Sequence, residues 1–118
     1  MKIDDMLVTP IAVIDPPLLN AAGLHAPYAL RVIVELRLSN GMYGLGEVPG
    51  GGQIADALNA VKSVVIGKDP FHLNRIHREL SGFLKHDNEQ RGDFPWDARI
   101  AQHVQSAVEV ACFDLMGK

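Results

Sequence analysis

The side chains in this sequence best suited to proton transfer or metal binding are five histidines. His72 and His77 lie five residues apart, a spacing that puts them about 140° apart around a helix. His103 stands alone in a helical pattern, and His86 lies beside Asp87 in a charged segment. Metal ions need several ligands that converge on one point. The spacing is therefore typical of surface histidines and does not predict a metal site.

Cys112 and Glu47 are the other candidates for chemistry. Cys112 falls on an apolar stripe with Val108 and Ala111 and has no base beside it, which predicts a buried, unreactive thiol. Glu47 lies at the end of a predicted strand, where a lone carboxylate is more often a hydrogen-bond acceptor than a catalyst. No serine or cysteine is paired with a recognisable base, so the sequence predicts no catalytic residue in this chain.

A glycine-rich run, Gly41 to Gly52, invites comparison with phosphate-binding loops. The dinucleotide-binding pattern needs a third glycine where Pro49 stands, and the phosphate-loop pattern needs serine or threonine where Asp69 stands. Both patterns fail, so the run predicts a turn from a strand into a helix. An anion site at the start of that helix, after Gly50-Gly51-Gly52, stays open as an alternative because helix N-termini present free N–H groups.

Length and composition limit the classes of protein. The chain has 118 residues, 47% hydrophobic and 21% charged, with a net charge of −3, which predicts one folded domain and no nucleic-acid partner. It is too short for a barrel of eight strands and helices, which needs about 250 residues. The single cysteine, the acidic N-terminus and the lack of a long apolar run predict a cytoplasmic protein.

The first third of the chain has the pattern of β-strands. Residues 6–14 are apolar and β-branched, and residues 30–39 alternate between apolar and mostly charged positions, as in a half-buried strand. Asn40-Gly41 predicts a type I′ hairpin turn into a return strand over 42–48. Residues 15–29 are apolar but follow no period, which predicts a long loop of the kind that binds a ligand or a partner.

The rest of the chain has the pattern of helices. An apolar stripe predicts a first helix over 54–65, with Gly67 at its C-terminal end. Asp69-Pro70 predicts the start of a second helix, residues 85–97 predict a loop, and Asp97 is placed to cap a third helix. Three strands followed by three helices make an α+β fold.

Several motifs occur in a characteristic order. Gly23-Leu24-His25-Ala26-Pro27 precedes the strand pattern, Gly44-Leu45-Gly46-Glu47-Val48-Pro49-Gly50-Gly51 follows it, and residues 107–117 read Ala-x-Glu-x-Ala-x-x-Asp-Leu-x-Gly. This order resembles the N-terminal capping domain of the enolase superfamily, in the mandelate racemase and muconate lactonizing enzyme group. The third motif is general to the superfamily, whereas the first two are similar to the glucarate dehydratase branch. The resemblance covers residues 8–117.

The resemblance implies an α+β cap of three antiparallel strands and about three helices, which closes over a catalytic barrel. In that family the barrel supplies the ligands of Mg²⁺, a lysine base and a histidine–aspartate pair, all of which would lie beyond Lys118. The chain is thus expected to be a fragment, 1–118, of a hydro-lyase that acts on an acid sugar as a homo-oligomer, and to be inactive alone.

One residue of this chain matches a substrate-contacting residue of the family. His25 matches the capping-loop histidine that contacts substrate in glucarate dehydratases, with an exposed loop histidine as the alternative. The family also has a threonine two residues before its Asp-x-Arg motif, and here Pro95 stands at that place before Asp97-Ala98-Arg99. A related acid-sugar substrate therefore fits equally well. A stand-alone binding or assembly module without enzyme activity is the alternative function.

Overall fold

The structure is a computed structural model that describes the backbone of residues 1–19, 25–90 and 100–118, and their side chains except in 14–19, 25–29 and 85–90. Three antiparallel strands form one sheet in the order β1-β2-β3. The strands are β1 (Ile3–Leu19), β2 (His25–Leu38) and β3 (Tyr43–Pro49).

Helices cover one face of this sheet. They are α1 (Gly52–Ala60), α2 (Lys62–Val65), α3 (Leu73–Gln90) and α4 (Ile100–Met116). The first predicted helix is divided into α1 and α2 at Val61, and the two later helices are present, α3 with different boundaries from those predicted. Helix α4 packs mainly across β3, and α3 packs on α4. The predicted α+β fold, with a three-stranded antiparallel sheet and three main helices, is confirmed.

The hydrophobic core lies between the sheet and the helices. Val32, Val34 and Leu36 of β2 are fully buried, whereas the residues between them are at least partly exposed, so the predicted alternation of this strand is confirmed. Gly44 and Gly46 of β3 lie directly against the backbone of α4, where a Cβ atom would overlap with the carbonyl oxygens of the helix. The Gly-x-Gly pattern therefore lets α4 approach β3 closely.

The hairpin between β2 and β3 is confirmed, but the type I′ turn predicted for it is wrong. A type I′ turn needs positive φ at both central residues, and here only Gly41 has it, at +88°. The Gly41 N–H donates to the Leu38 carbonyl (3.0 Å), and Asn40 keeps a negative φ while its side chain accepts from the Met42 N–H (3.0 Å). The connection is a tight turn followed by a glycine bulge.

The prediction of a loop over 15–29 is wrong for most of that segment. β1 continues to Leu19 and β2 begins at His25, so the two strands pair beyond the point where β3 ends. We call residues 11–19 and 25–30 the arm. Two prolines fit in this strand because they fall where the register shifts between Ile14 and Leu18, on an edge strand. Residues 20–24 lie outside the described residues.

Two helix boundaries differ from the prediction. Asp69 caps a turn before α3, accepting from the Phe71 N–H at 2.9 Å, so the helix begins at Leu73 and not at Pro70. Helix α3 continues to Gln90, and the predicted loop is therefore wrong over 85–90. The remainder of that segment, with Pro95 and the predicted cap Asp97, lies outside the described residues.

Candidate functional site

His25, the predicted substrate-binding residue, is the first residue of β2. Its backbone pairs with Leu19 at the far end of the arm, next to residues 20–24. The structure thus places His25 on a strand and not in a loop. A residue at the end of a paired ribbon has a fixed backbone position relative to the sheet, which suits a residue that must reach a ligand outside the domain.

The arm carries apolar side chains that the core does not cover. Ile11 is 37% exposed, Val13 46% and Leu30 54%, all at the part of the arm nearest the body. Ile11 and Val13 lie on one face of the arm, whereas Leu30, which pairs with Ala12, lies on the other. Exposed apolar side chains of this kind are typical of surfaces that contact another molecule or another domain. The arm therefore combines a candidate ligand contact at its end with a candidate docking surface at its base.

The second specific motif, Glu47–Gly51, lies at the base of the same arm. Gly50, with φ +141°, turns the chain from β3 into α1, and its N–H donates to the Leu30 carbonyl at 3.0 Å. The carboxylate of Glu47 lies 3.6 Å from the Arg31 guanidinium. The fold thus joins the two motifs that the sequence singled out: one forms the arm and the other supports its base. The predicted role of the glycines in turning the chain is confirmed at Gly50.

The histidines and acids of the described chain do not form a metal centre. Among the residues that the structure describes, no three His, Cys, Asp or Glu side chains cluster as metal ligands. His77 and Glu109 approach each other across α3 and α4, with 3.8 Å between Nε2 and Oε2, but they are only a pair. These residues do not fit a magnesium site, since Mg²⁺ takes about six oxygen ligands in octahedral geometry.

Cys112 lies in the core of the domain, where it is fully buried on α4. Burial, and to a lesser degree the charge of Glu109, raises the pKa of its thiol to about 12. The thiolate is the nucleophilic form of cysteine, so a thiol with this pKa is inert at neutral pH. The predicted burial of Cys112 is confirmed.

Sequence reasoning missed a group of polar contacts between α4 and the edge of β3. The Leu45 N–H donates to Asp114 Oδ2 at 2.9 Å, and Lys118 Nζ donates to the Tyr43 carbonyl at 2.6 Å. The Leu45 hydrogen bond, followed by the Lys118 ammonium, holds the pKa of Asp114 below its ordinary value. The i, i+4 spacing of Asp114 and Lys118 was visible in the sequence, but their contact with β3 was not.

Comparisons with known proteins agree with this geometry. No protein-family model matches the chain. A probable glucarate dehydratase of Streptomyces coelicolor is 33% identical over 121 aligned positions, which cover 94% of this chain and 28% of the relative. No helix in the described part of the chain is long and apolar enough to cross a membrane.

Solved structures share both the fold and the sequence. An enolase from Pseudomonas fluorescens Pf0-1, solved with magnesium, potassium and tartrate, is 37% identical with a TM-score of 0.83, over 98% of this chain and 28% of that one. An enolase from Thermobispora bispora, solved with magnesium and formate, is 36% identical with a TM-score of 0.82, over 99% and 29%. The matches fall in the N-terminal part of these longer proteins. The chain therefore belongs to the enolase superfamily and corresponds to the N-terminal domain of its members.

Proposed function

We propose that this chain is the substrate-specificity capping domain of a magnesium-dependent acid-sugar dehydratase similar to glucarate dehydratase. The observation that carries the proposal is the similarity of this chain, over 94% of its length, to a probable glucarate dehydratase. The tartrate bound by the Pseudomonas fluorescens relative supports a substrate with carboxylates at both ends. The arm supports the same assignment, because a cap needs a segment that projects from its core toward the substrate.

The chemistry of such an enzyme would come from outside these residues. The chain spans 28% of the length of its curated relative. Among the described residues no three side chains cluster as metal ligands, and burial raises the pKa of the Cys112 thiol to about 12. We therefore assign residues 1–118 to the cap, and assign the magnesium ligands and the catalytic groups of the hydro-lyase reaction to a barrel domain. The cap would contribute shape and contacts at the distal end of the substrate.

His25 is the residue that we assign to substrate recognition. It begins β2 at the end of the arm, beside residues 20–24, where a ligand held against the cap would meet it. An imidazole donates a hydrogen bond to a carboxylate or hydroxyl in its neutral form, and adds a charge when protonated. A polar contact of this kind fits a substrate that carries oxygen at every carbon.

The test is His25→Ala in the barrel-containing protein. Loss of one polar contact leaves a substrate group unpaired, at a cost of roughly 1–3 kcal/mol, so kcat/KM should fall by about tenfold to a hundredfold. The melting temperature should stay nearly constant, since His25 lies at the end of the arm and not in the core. His72→Ala, at an exposed histidine remote from the arm, is the matched control and should leave both quantities unchanged. A drop in melting temperature with unchanged kinetics would make His25 a structural residue.

A stand-alone binding or assembly module is the alternative function, and the exposed apolar base of the arm is the feature that favours it. The reading frame after codon 118 separates the two, because a barrel sequence there supports the enzyme and a stop codon supports the module. Which acid sugar is bound, with Pro95 at the family's threonine position, is decided by assaying a panel of hexarates. A homo-oligomeric enzyme and a cytoplasmic location complete the proposal.

A further inference from the structure

The outer edge of β3 carries backbone N–H and C=O groups that do not bond to β2. The Leu38 N–H donates to the Met42 carbonyl at 2.8 Å, and the Gly50 N–H donates to the Leu30 carbonyl at 3.0 Å. Because backbone groups in an antiparallel strand alternate in direction, the even-numbered residues from 42 to 50 bond toward β2. Tyr43, Leu45 and Glu47 therefore direct their N–H and C=O groups away from the sheet. An edge of this kind is a template for pairing with another chain.

Two side chains of the α4 region occupy that edge. Asp114 accepts from the Leu45 N–H at 2.9 Å, and Lys118 donates to the Tyr43 carbonyl at 2.6 Å. The two are also paired with each other, with 3.4 Å between Nζ and Oδ2, and the Lys118 ammonium lies 4.2 Å from the centre of the Tyr43 ring. We call Asp114, Lys118 and their bonds to β3 the edge lock.

Apolar side chains surround the edge lock. Tyr43 is 46% exposed and Leu45 44%, on the strand itself. Val110, one helical turn before Asp114, is 44% exposed, and Phe113 is 53% exposed. A strand added at this edge would gain both backbone hydrogen bonds and apolar contacts. The lock thus covers backbone groups that an extended segment would otherwise bind.

The geometry limits what such a segment can be. Pairing β3 with β3 of a second copy would place the two strands about 4.8 Å apart, with both α4 helices on the same face of the joined sheet. Since α4 lies across β3, these helices would come closer than the roughly 8–10 Å that packed helices need. The partner must be an extended segment without a helix on that face. The arm, with Ile11 and Val13 exposed on one face and Leu30 on the other, is such a segment in this chain.

We propose that the edge lock prevents the arm of one copy of this chain from adding as a strand to the β3 edge of another. Arm and edge are different surfaces of the molecule, so the contact that the lock prevents is head-to-tail. A head-to-tail contact that does not close produces open assemblies and not dimers. The lock is then a device against polymerisation, separate from the binding of substrate.

The test compares Asp114→Ala/Lys118→Ala with the wild-type 118-residue chain by light scattering over a concentration series. We expect the mean mass of the variant to rise continuously with concentration above that of the wild type. Amide hydrogen exchange at Leu45 should be fast in the dilute variant and slower at least tenfold when it is concentrated, because strand addition protects this N–H. A mass and a Leu45 exchange rate that do not depend on concentration would overturn the proposal.

Three further variants test which surfaces are involved. Asp114→Asn keeps an oxygen acceptor for the Leu45 N–H and should associate no more than the wild type, and Asp56→Ala, which removes an exposed acid from α1, should do likewise. Adding Val13→Lys to Asp114→Ala/Lys118→Ala puts a charge on the arm and should restore the wild-type mass. Association that persists unchanged with Val13→Lys would overturn the arm as the partner.

Discussion

Burial sets the chemistry of Cys112, the one thiol of the chain. The side chain is fully buried among the core residues of α4, and burial together with Glu109 raises its pKa to about 12. The unfolded chain would lose this proton near pH 8.5, the ordinary value for cysteine. Folding therefore holds a proton that the unfolded chain releases at alkaline pH.

This proton gives the first prediction at the scale of residues. Because the folded pKa is the higher one, the stability from Cys112 is present below pH 8.5 and is lost as pH rises above it, by up to about 1.4 kcal/mol per pH unit. Urea denaturation between pH 7 and 10 should show this slope, and Cys112→Ala should lack it. Ellman's reagent should label the native thiol only as fast as the chain unfolds, and rapid labelling of the native chain at pH 8 would contradict the burial.

The contact between β3 and α4 is the element-scale feature on which the fold depends most closely. A Cβ atom at Gly46 would overlap with the backbone carbonyl of Ala107, and one at Gly44 with that of Ala111. A helix backbone cannot yield as a flexible side chain can. These two glycines therefore fix the distance between the helix and the sheet.

Gly46→Ala should lower the free energy of unfolding by about 1–3 kcal/mol, because the helix must move away from β3 to admit the methyl group. Gly52→Ala is the matched control: a Cβ there meets nothing within 4 Å, in the first turn of α1. Alanine is the better helix former, so the control should be neutral or stabilising. Urea denaturation of both variants measures the difference, and equal stability of the two would show that α4 does not depend on the close approach.

The elements differed in how far the sequence could predict them. Periodicity located β2 and α4, because each has one buried and one exposed face and a pattern of period two or 3.6 records that. The turn signal of Asn40-Gly41 located β3. Residues 15–29 of the arm escaped prediction because they are apolar without a period and form strands that extend past β3. Helix α3 was predicted too short because its last turns, 85–90, carry charged residues that leave no apolar stripe.

The candidate site was predicted less completely than the fold. His25 and the Glu47–Gly51 motif came from a family resemblance, and the structure joined them at one arm through the Gly50 to Leu30 hydrogen bond. The edge lock could not be predicted from spacing alone. Its hydrogen bonds join residues 69 and 75 positions apart, so they exist only once α4 lies on β3.

At the scale of the whole molecule, the chain on its own should neither bind magnesium tightly nor turn over substrate. The described side chains form no cluster of three metal ligands, and the role that we propose for the arm is recognition and not catalysis. Purified chain incubated with glucarate and Mg²⁺ should form no dehydrated product, while the barrel-containing protein under the same conditions should. Turnover by the purified chain above a no-protein control would refute the assignment of catalysis to the barrel.

The arm also bears on how such a domain can change over generations. Among the residues whose burial is described, the core includes Ile3 and Met6 of β1 and resumes at Val32 in β2, with Val8 packed against it, and no described side chain of the arm belongs to the core. Side chains alternate between the two faces of a strand, so a gain or loss of two residues in each strand of the arm keeps every remaining side chain on its own face. The reach of the arm can thus lengthen or shorten in steps of about 7 Å without repacking the interior. Mutation and selection could retune what this domain recognises by such steps while the rest of the sequence stays fixed.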